Sequence, residues 1–289
     1  MRPLAAVHSE TSADRPKNRF AFGSNWQRFL AHVDEERISE AEKSLRALLD
    51  VENLAGKSFL DVGCGSGLFS LAAMRLGADK VCSYDYDPQS VACAQELKRR
   101  YLHEASHWTI SQGSALDTDF VSRLGQYDVV YAWGVLHHTG NMWQALENVA
   151  LPVAREGKLV VALYNDQGIR SRLWRGVKKA YNRNAIWRAI IVPLFTAFYV
   201  VRGFVKDVIT LKNPMKRYRE YKRSRGMSYF TDLLDWLGGY PFEVAKPEAI
   251  VQFYQGKGFE TIKLNSAGRG LGNNEFVFRR LSGKVANDV

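Results

Sequence analysis

Cysteine is scarce in this chain: three in 289 residues, Cys64, Cys82 and Cys93, none in a Cys-x-x-Cys pair. An odd count without paired spacing gives neither a disulfide framework nor a zinc knuckle. No metal is therefore expected, and a reducing cytosol is the expected home. Residues 1–19 carry Arg, Glu, Asp and Lys and lack the apolar centre of a secretory signal; they read as a flexible tail. A run long enough to cross a bilayer is missing too. The nearest approach, Ala189–Val201, has 13 residues, bounded by Arg188 and Arg202 and interrupted by Pro193, where a spanning helix needs about 20. No internal repeat is visible. Acids are nearly absent from one block: Gly168 to Gly226 holds 16 Lys and Arg against only Asp207 and Glu220. That block is +14 and the rest of the chain −4, which together give the net charge of +10.

What is present is an ordinary globular composition, 46% hydrophobic and 24% charged, with enough chain for one large α/β domain and an elaboration. Phe20 to Asp50 predicts two helices, with Ile38, Ala41, Leu45 and Leu48 at helical spacing and Ser39 and Glu42 as a capping box. Residues 20–55 thus form an N-terminal helical cap. Short apolar runs then alternate with amphipathic stretches. Strands are expected at Ser58–Val62, Lys80–Tyr84, His107–Ser111, Tyr127–Trp133 and Gly157–Tyr164. Helices are expected through Leu76, from Pro88 to about Arg100, and from Asn141 to Ala154. The alternation stops at Asn165 and resumes at Lys246, with a helix to Gln255 and strands near Phe259–Leu264 and Glu275–Arg280. This pattern predicts βαβ units and a mostly parallel sheet covered on both faces. Residues 56–167 and 246–289 make that domain, and 168–245 a helical, basic insertion after the fifth strand.

The first strand enters Leu60-Asp61-Val62-Gly63-Cys64-Gly65-Ser66-Gly67. Glycines at this spacing permit positive φ and bring backbone N–H groups close to a ligand at a helix N-terminus. The pattern is neither the G-x-G-x-x-G of dinucleotide folds nor a P-loop. Asp85 ends the second strand, where a carboxylate takes the two hydroxyls of a ribose.

Strand, D-x-G-x-G-x-G turn and strand-terminal acid together resemble the class I S-adenosylmethionine-dependent methyltransferases, over roughly Phe20–Tyr164 and Lys246–Arg280. The resemblance implies a Rossmann-like, seven-stranded sheet whose last strand is antiparallel. It implies S-adenosylmethionine as cofactor, with Gly63, Gly65 and Gly67 along its methionine part and Asp61 at its amino end. Asp85 would hold the ribose and Tyr86 cover the adenine, with Gln112–Ala115 at the adenine edge. Ser114 stands where the family often has Asp, so a backbone carbonyl or Asp117 is left to accept from the adenine amine. Ser114 and Ala115 are counted with the cofactor site all the same. A finer resemblance joins Trp133–Gly140 (Trp-Gly-Val-Leu-His-His-Thr-Gly), Phe22–Trp26 and Tyr164–Gly168 to a bacterial methyltransferase subfamily.

Three polar clusters lie at strand carboxyl ends: Asp85–Asp87, Trp133–His138 and Tyr164–Asp166. Methyl transfer is an in-line displacement that needs orientation and, for an OH or NH nucleophile, proton removal. His137 is the expected base, a turn cap or backbone bond being the alternative for it and for His138. Asn165 is expected to assist catalysis and Tyr164 and Asp166 to touch substrate; Asn165 and Asp166 are otherwise caps for the insertion's first helix. Trp133 and Trp26 are placed at the cofactor. Phe20, Phe22 and Trp26 fold over it, an aromatic face gaining about 0.5–2 kcal/mol beside a sulfonium, or else pack helices. Three uses of the insertion stay open: a lid, a homodimer contact, or a helix on an anionic membrane. Nucleic acid is set aside because no RNA-binding module accompanies the charge. Transfer to a small, apolar molecule leads. Closure of the cofactor's own aminobutyryl arm by a cyclase or lyase, and binding without turnover, are the alternatives.

Overall fold

The computed structural model describes residues 20, 22–102, 107–210 and 229–282; the expected tail, 1–19, lies outside them. Two helices, α1 (Gly23–Leu30) and α2 (Glu35–Leu49), lead into a seven-stranded sheet. Its strands are β1 (Ser58–Val62), β2 (Lys80–Asp85), β3 (Trp108–Gln112), β4 (Tyr127–Trp133), β5 (Val153–Tyr164), β6 (Phe259–Asn265) and β7 (Asn273–Arg280). They lie in the order β3-β2-β1-β4-β5-β7-β6, with β7 antiparallel to both neighbours and the β3-to-β5 run parallel. The expected fold class is the observed one.

Strand side chains alternate between two cores, as a period of two requires. Leu60, Val62, Val130 and Ala132 face α6 (Met142–Ala150) and α10 (Pro247–Gln255), meeting Leu146, Val149, Ile250 and Tyr254. Phe59, Val129 and Tyr131 face α2, α3 (Leu68–Arg75) and α4 (Pro88–Tyr101), meeting Ile38, Leu45, Leu71 and Leu97. Both faces are covered, so the β1 and β4 runs read as nearly continuous apolar sequence.

Three boundaries differ most from expectation. Helix α2 begins at Glu35, where the extended Asp34 accepts a bond from Arg37 N; Ser39 lies inside the helix and caps nothing. Helix α6 stops at Ala150 because Pro152 follows, and β5 starts at Val153, not Gly157. Glu156 at φ 58° makes the irregularity that lets Val153 pair Tyr127 while Lys158 pairs Val129. A short helix, α5 (Thr118–Arg123), was not anticipated; Asp117 caps it by accepting from Phe120 N at 2.9 Å.

The insertion is helical. Helices α7 (Ile169–Arg183), α8 (Ala185–Ile209) and α9 (Tyr229–Gly238) share a small core of Tyr181, Ile191, Leu233 and Leu237, which Phe20 joins from the chain's beginning. The segment returning to α10 is stitched to the turn after β4. Glu243 N donates to His137 O, and the Glu243 carboxylate accepts from Gly140 N and Met142 N. Asn141 makes no side-chain cap at α6, so Glu243 caps that helix from the insertion.

Candidate functional site

The strand order reverses between β1 and β4, and at that point the carboxyl ends of an open sheet leave a crevice. A cavity of about 580 Å³ opens there, within the range of small-molecule sites. Its floor is Val62, Gly63, Tyr84 and Asp85, and one wall is Tyr86 with Gly113–Leu116. Trp133–Val135, His138 and Thr139 form another wall, and Phe20, Phe22 and Trp26 add an aromatic lining.

Backbone bonds fix the glycine turn. Gly63 N and Cys64 N both donate to Tyr84 O, at 2.8 and 3.1 Å. The Asp85 carboxylate accepts from Gly65 N through Oδ2 and from Asp87 N through Oδ1, both at 2.9 Å. Asp85 thus ties the β1 turn to the end of β2 while lining the cavity. Asp87 does the same for the aromatic segment, accepting from Gly23 N at 3.0 Å and from Gln89 N at 2.9 Å. The Tyr84 hydroxyl is buried with no partner among the described residues.

The expected cofactor residues divide into two groups. Trp26, Gly63, Asp85, Tyr86, Ser114, Ala115 and Trp133 line the cavity. Gly65 lies under the Trp26 indole, and Gly67 packs on Ala94. Asp61 points beneath the turn, into a buried chain in which it accepts from Ser70 Oγ at 2.5 Å, Ser70 meets Ser83 Oγ at 2.7 Å, and Trp108 Nε1 donates to Ser83 Oγ at 2.7 Å. Burial, opposed by the Ser70 bond and reinforced by Asp85, lifts the Asp61 carboxyl to about 7. A carboxyl raised on folding favours the folded state most below its unfolded pKa and loses that advantage as pH rises to its folded value. Thermal stability should therefore fall between pH about 4 and about 7. Asp61→Asn, which keeps the acceptor for Ser70, should flatten that slope; an unchanged slope would mean that other groups set it.

The two adjacent histidines part company. Leu136–His138 form one 3-10 turn, and His138 lines the cavity while His137 does not. His138 Nδ1 lies 2.7 Å from Pro241 O. A carbonyl only accepts, so Nδ1 carries the proton and Nε2 is the basic nitrogen of the neutral ring. His137 is buried against the Tyr164 ring at 4.0 Å. Burial, helped by His138 and the Lys178 cation, pushes its imidazole well below the usual range. Lys178, itself buried, donates to the Trp236 carbonyl and sits 4.3 Å from the Trp236 ring and 5.0 Å from Phe242.

The residues after β5 also lie outside the cavity. Asn165 donates to Gly268 O and Gly270 O and accepts from Asn274, fastening β5 to the β6–β7 turn. Asp166 accepts from Gly168 N in a turn just before α7, whose N-cap is Gly168 itself, without a side-chain cap. Tyr164 stands behind the histidines. Asp117 caps α5, and Ser114 Oγ accepts from Leu116 N. Tyr84, Pro88, Gln89 and Val135 join the lining without having been singled out; Pro88 opening a helix beside the switch point was the available signal for α4.

Residues 60–159 match the family described as a methyltransferase domain. The ribosomal protein L11 methyltransferase of Photobacterium profundum is 44% identical over 52 residues, 18% of each chain. The tRNA U34 carboxymethyltransferase of Geobacter sp. (strain M21) is 27% identical over 209 residues, 72% of this chain and 62% of that one. The chain thus spans less than two thirds of either relative. Magnesium protoporphyrin IX methyltransferase from Synechocystis PCC 6803, solved with bound S-adenosylmethionine, superposes with a TM-score of 0.53 over 96% of this chain and 99% of that one. At 15% identity that likeness is one of fold.

Proposed function

We propose that this chain is a class I methyltransferase that binds S-adenosylmethionine at the Gly63–Gly67 turn and Asp85 and methylates a small, apolar acceptor. The match of residues 60–159 to a methyltransferase domain supports the reaction class. The observation that carries the reading is the switch-point cavity, in which the turn and the Asp85 carboxylate meet beside an aromatic lining.

The residues fit that cofactor. Gly63 lines the cavity without a side chain, and the Asp85 carboxylate lines it too while accepting from two backbone N–H groups. When bound, S-adenosylmethionine supplies a methyl group activated on a sulfonium. The chain's own work is to orient and dry the site. Phe20, Phe22 and Trp26 exclude water from the cavity, and Trp133, held by its Nε1–H to Glu275 at 2.9 Å, walls the side. His138 takes the acceptor's proton on Nε2, its ring fixed by Pro241 O. His137, neutral and buried, supports the turn from behind.

Titration calorimetry on the full chain should show S-adenosylmethionine and S-adenosylhomocysteine binding. Asp85→Ala should weaken both about tenfold to a hundredfold, the worth of charge-assisted hydrogen bonds. Mass spectrometry then reads the product. S-adenosylhomocysteine formed only after a small-molecule extract is added is the expected outcome. Methylthioadenosine from protein and S-adenosylmethionine alone would replace transfer by cyclisation or lyase chemistry. Cofactor left intact in both mixtures would leave a binding protein without turnover, and an intact chain that binds neither compound would end the reading.

A further inference from the structure

Helix α8 is exposed where a soluble helix is normally covered. It is 25 residues long, about 37 Å. It is also the one helix among the described residues long and apolar enough to cross a membrane, and only 6% of its most apolar window is buried. Ile191, Phe195 and Tyr199 pack one side against the insertion's core. The rest of the apolar surface faces outward. Trp187, Ile190, Leu194, Phe198, Val201, Val205 and Val208 recur every three or four residues and are all exposed, Leu194 at 62% and Phe198 at 56%. That spacing makes one continuous stripe.

Charge chooses the occupant. Arg188, Arg202 and Lys206 follow one edge of the stripe at helical spacing, and α7 adds the exposed Arg170, Arg172, Lys179 and Arg183. The only acid on α7 and α8 is Asp207, which is buried. A second copy meeting this one along α8 would set cation against cation with no exposed carboxylate from either helix to relieve them. A nucleic acid would complement the cations but not the aliphatic stripe. An anionic bilayer complements both, acyl chains against the stripe and headgroup phosphates against its basic edge. Depth follows from the charges: the uncharged run Ala189–Val201 extends about 20 Å, short of the about 30 Å hydrocarbon core, so the helix lies in the plane of the surface.

We infer that α8 is an in-plane docking helix that seats the protein on anionic membrane. This stands independently of the methyl-transfer reading. The test is flotation of the full chain with vesicles of phosphatidylcholine, or of phosphatidylcholine mixed with phosphatidylglycerol. Partitioning should be at least about tenfold stronger on the anionic vesicles, since each cation near such a surface strengthens binding about fivefold, and high salt should weaken it. Leu194→Glu with Phe198→Glu should lower partitioning about a hundredfold. Arg202→Gln with Lys206→Gln, two exposed polar changes, should lower it at least about tenfold with the melting temperature unchanged. Partitioning undiminished by either pair would overturn the inference, as would equal binding to neutral vesicles. So would a dimer in light scattering that fails to float, or retention on RNA in place of vesicles. Failure to float on either kind of vesicle counts against it equally.

Discussion

Alanine at position 63 raises the dissociation constant for S-adenosylmethionine at least about thirtyfold, because two penalties of about 1–3 kcal/mol each combine. Gly63 sits at φ 65°, in the left-handed region that side chains resist. A Cβ there would stand 2.2 Å from Val135 Cγ2. The turn cannot retreat, since Gly63 N and Cys64 N are both committed to Tyr84 O. Val135 must therefore move, and Val135 lines the cavity. Two further variants separate the causes. Pairing Gly63→Ala with Val135→Ala removes the collision and should recover part of the affinity. Gly56→Ala, at φ 72° with nothing within 4 Å of the new Cβ, should lower stability by about 1 kcal/mol and leave cofactor binding alone. Calorimetry reads all three; a Gly63→Ala chain that binds normally would place the cofactor elsewhere.

The largest loss of stability is expected from Trp108→Ala, about 4 kcal/mol by urea denaturation. Trp108 starts β3 and is 1% exposed, one of the bulkiest side chains in the core between the sheet, α3 and α4. Its Nε1–H ends the buried chain that runs through Ser83 and Ser70 to Asp61, and its ring lies 3.4 Å from the position of a Cβ on Gly67. Truncation opens a cavity and removes the donor at the end of that chain together. Trp108→Phe keeps most of the volume and should cost about 1–2 kcal/mol, chiefly the hydrogen bond. Equal losses from both variants would mean that the bond, not the volume, governs this site.

The parallel sheet was legible because its strands are buried on both faces and read as apolar runs between turn signals. The glycine turn and Asp85 were legible because ligand geometry demands residue types that packing does not. Short and long-range features were not. The three-residue turn Leu136–His138 has no period to phase, so nothing in the sequence tells which histidine faces the cavity. Asn165 bonds Gly268 and Gly270 across the β6–β7 turn, partners that a local reading cannot supply. Asp61 occupies a motif position in β1, yet it satisfies a serine on α3. The sequence reading set a capping box at Ser39 and Glu42, yet α2 is capped by Asp34, whose extended backbone aims its carboxylate at Arg37 N.

Phe20 belongs to two structures at once. It lines the cavity, and its ring also lies against Gly238 so tightly that a Cβ there would come within 2.1 Å, while Phe20 N donates to Tyr240 O at 3.0 Å. One side chain is thus a shared wall between the pocket and the helices that carry the α8 stripe. A ligand that fixed Phe20 would steady the insertion, and by reciprocity whatever steadied the insertion would favour that ligand by the same amount. Position 238 must stay glycine for that contact to survive, since a Cβ there would collide with the Phe20 ring.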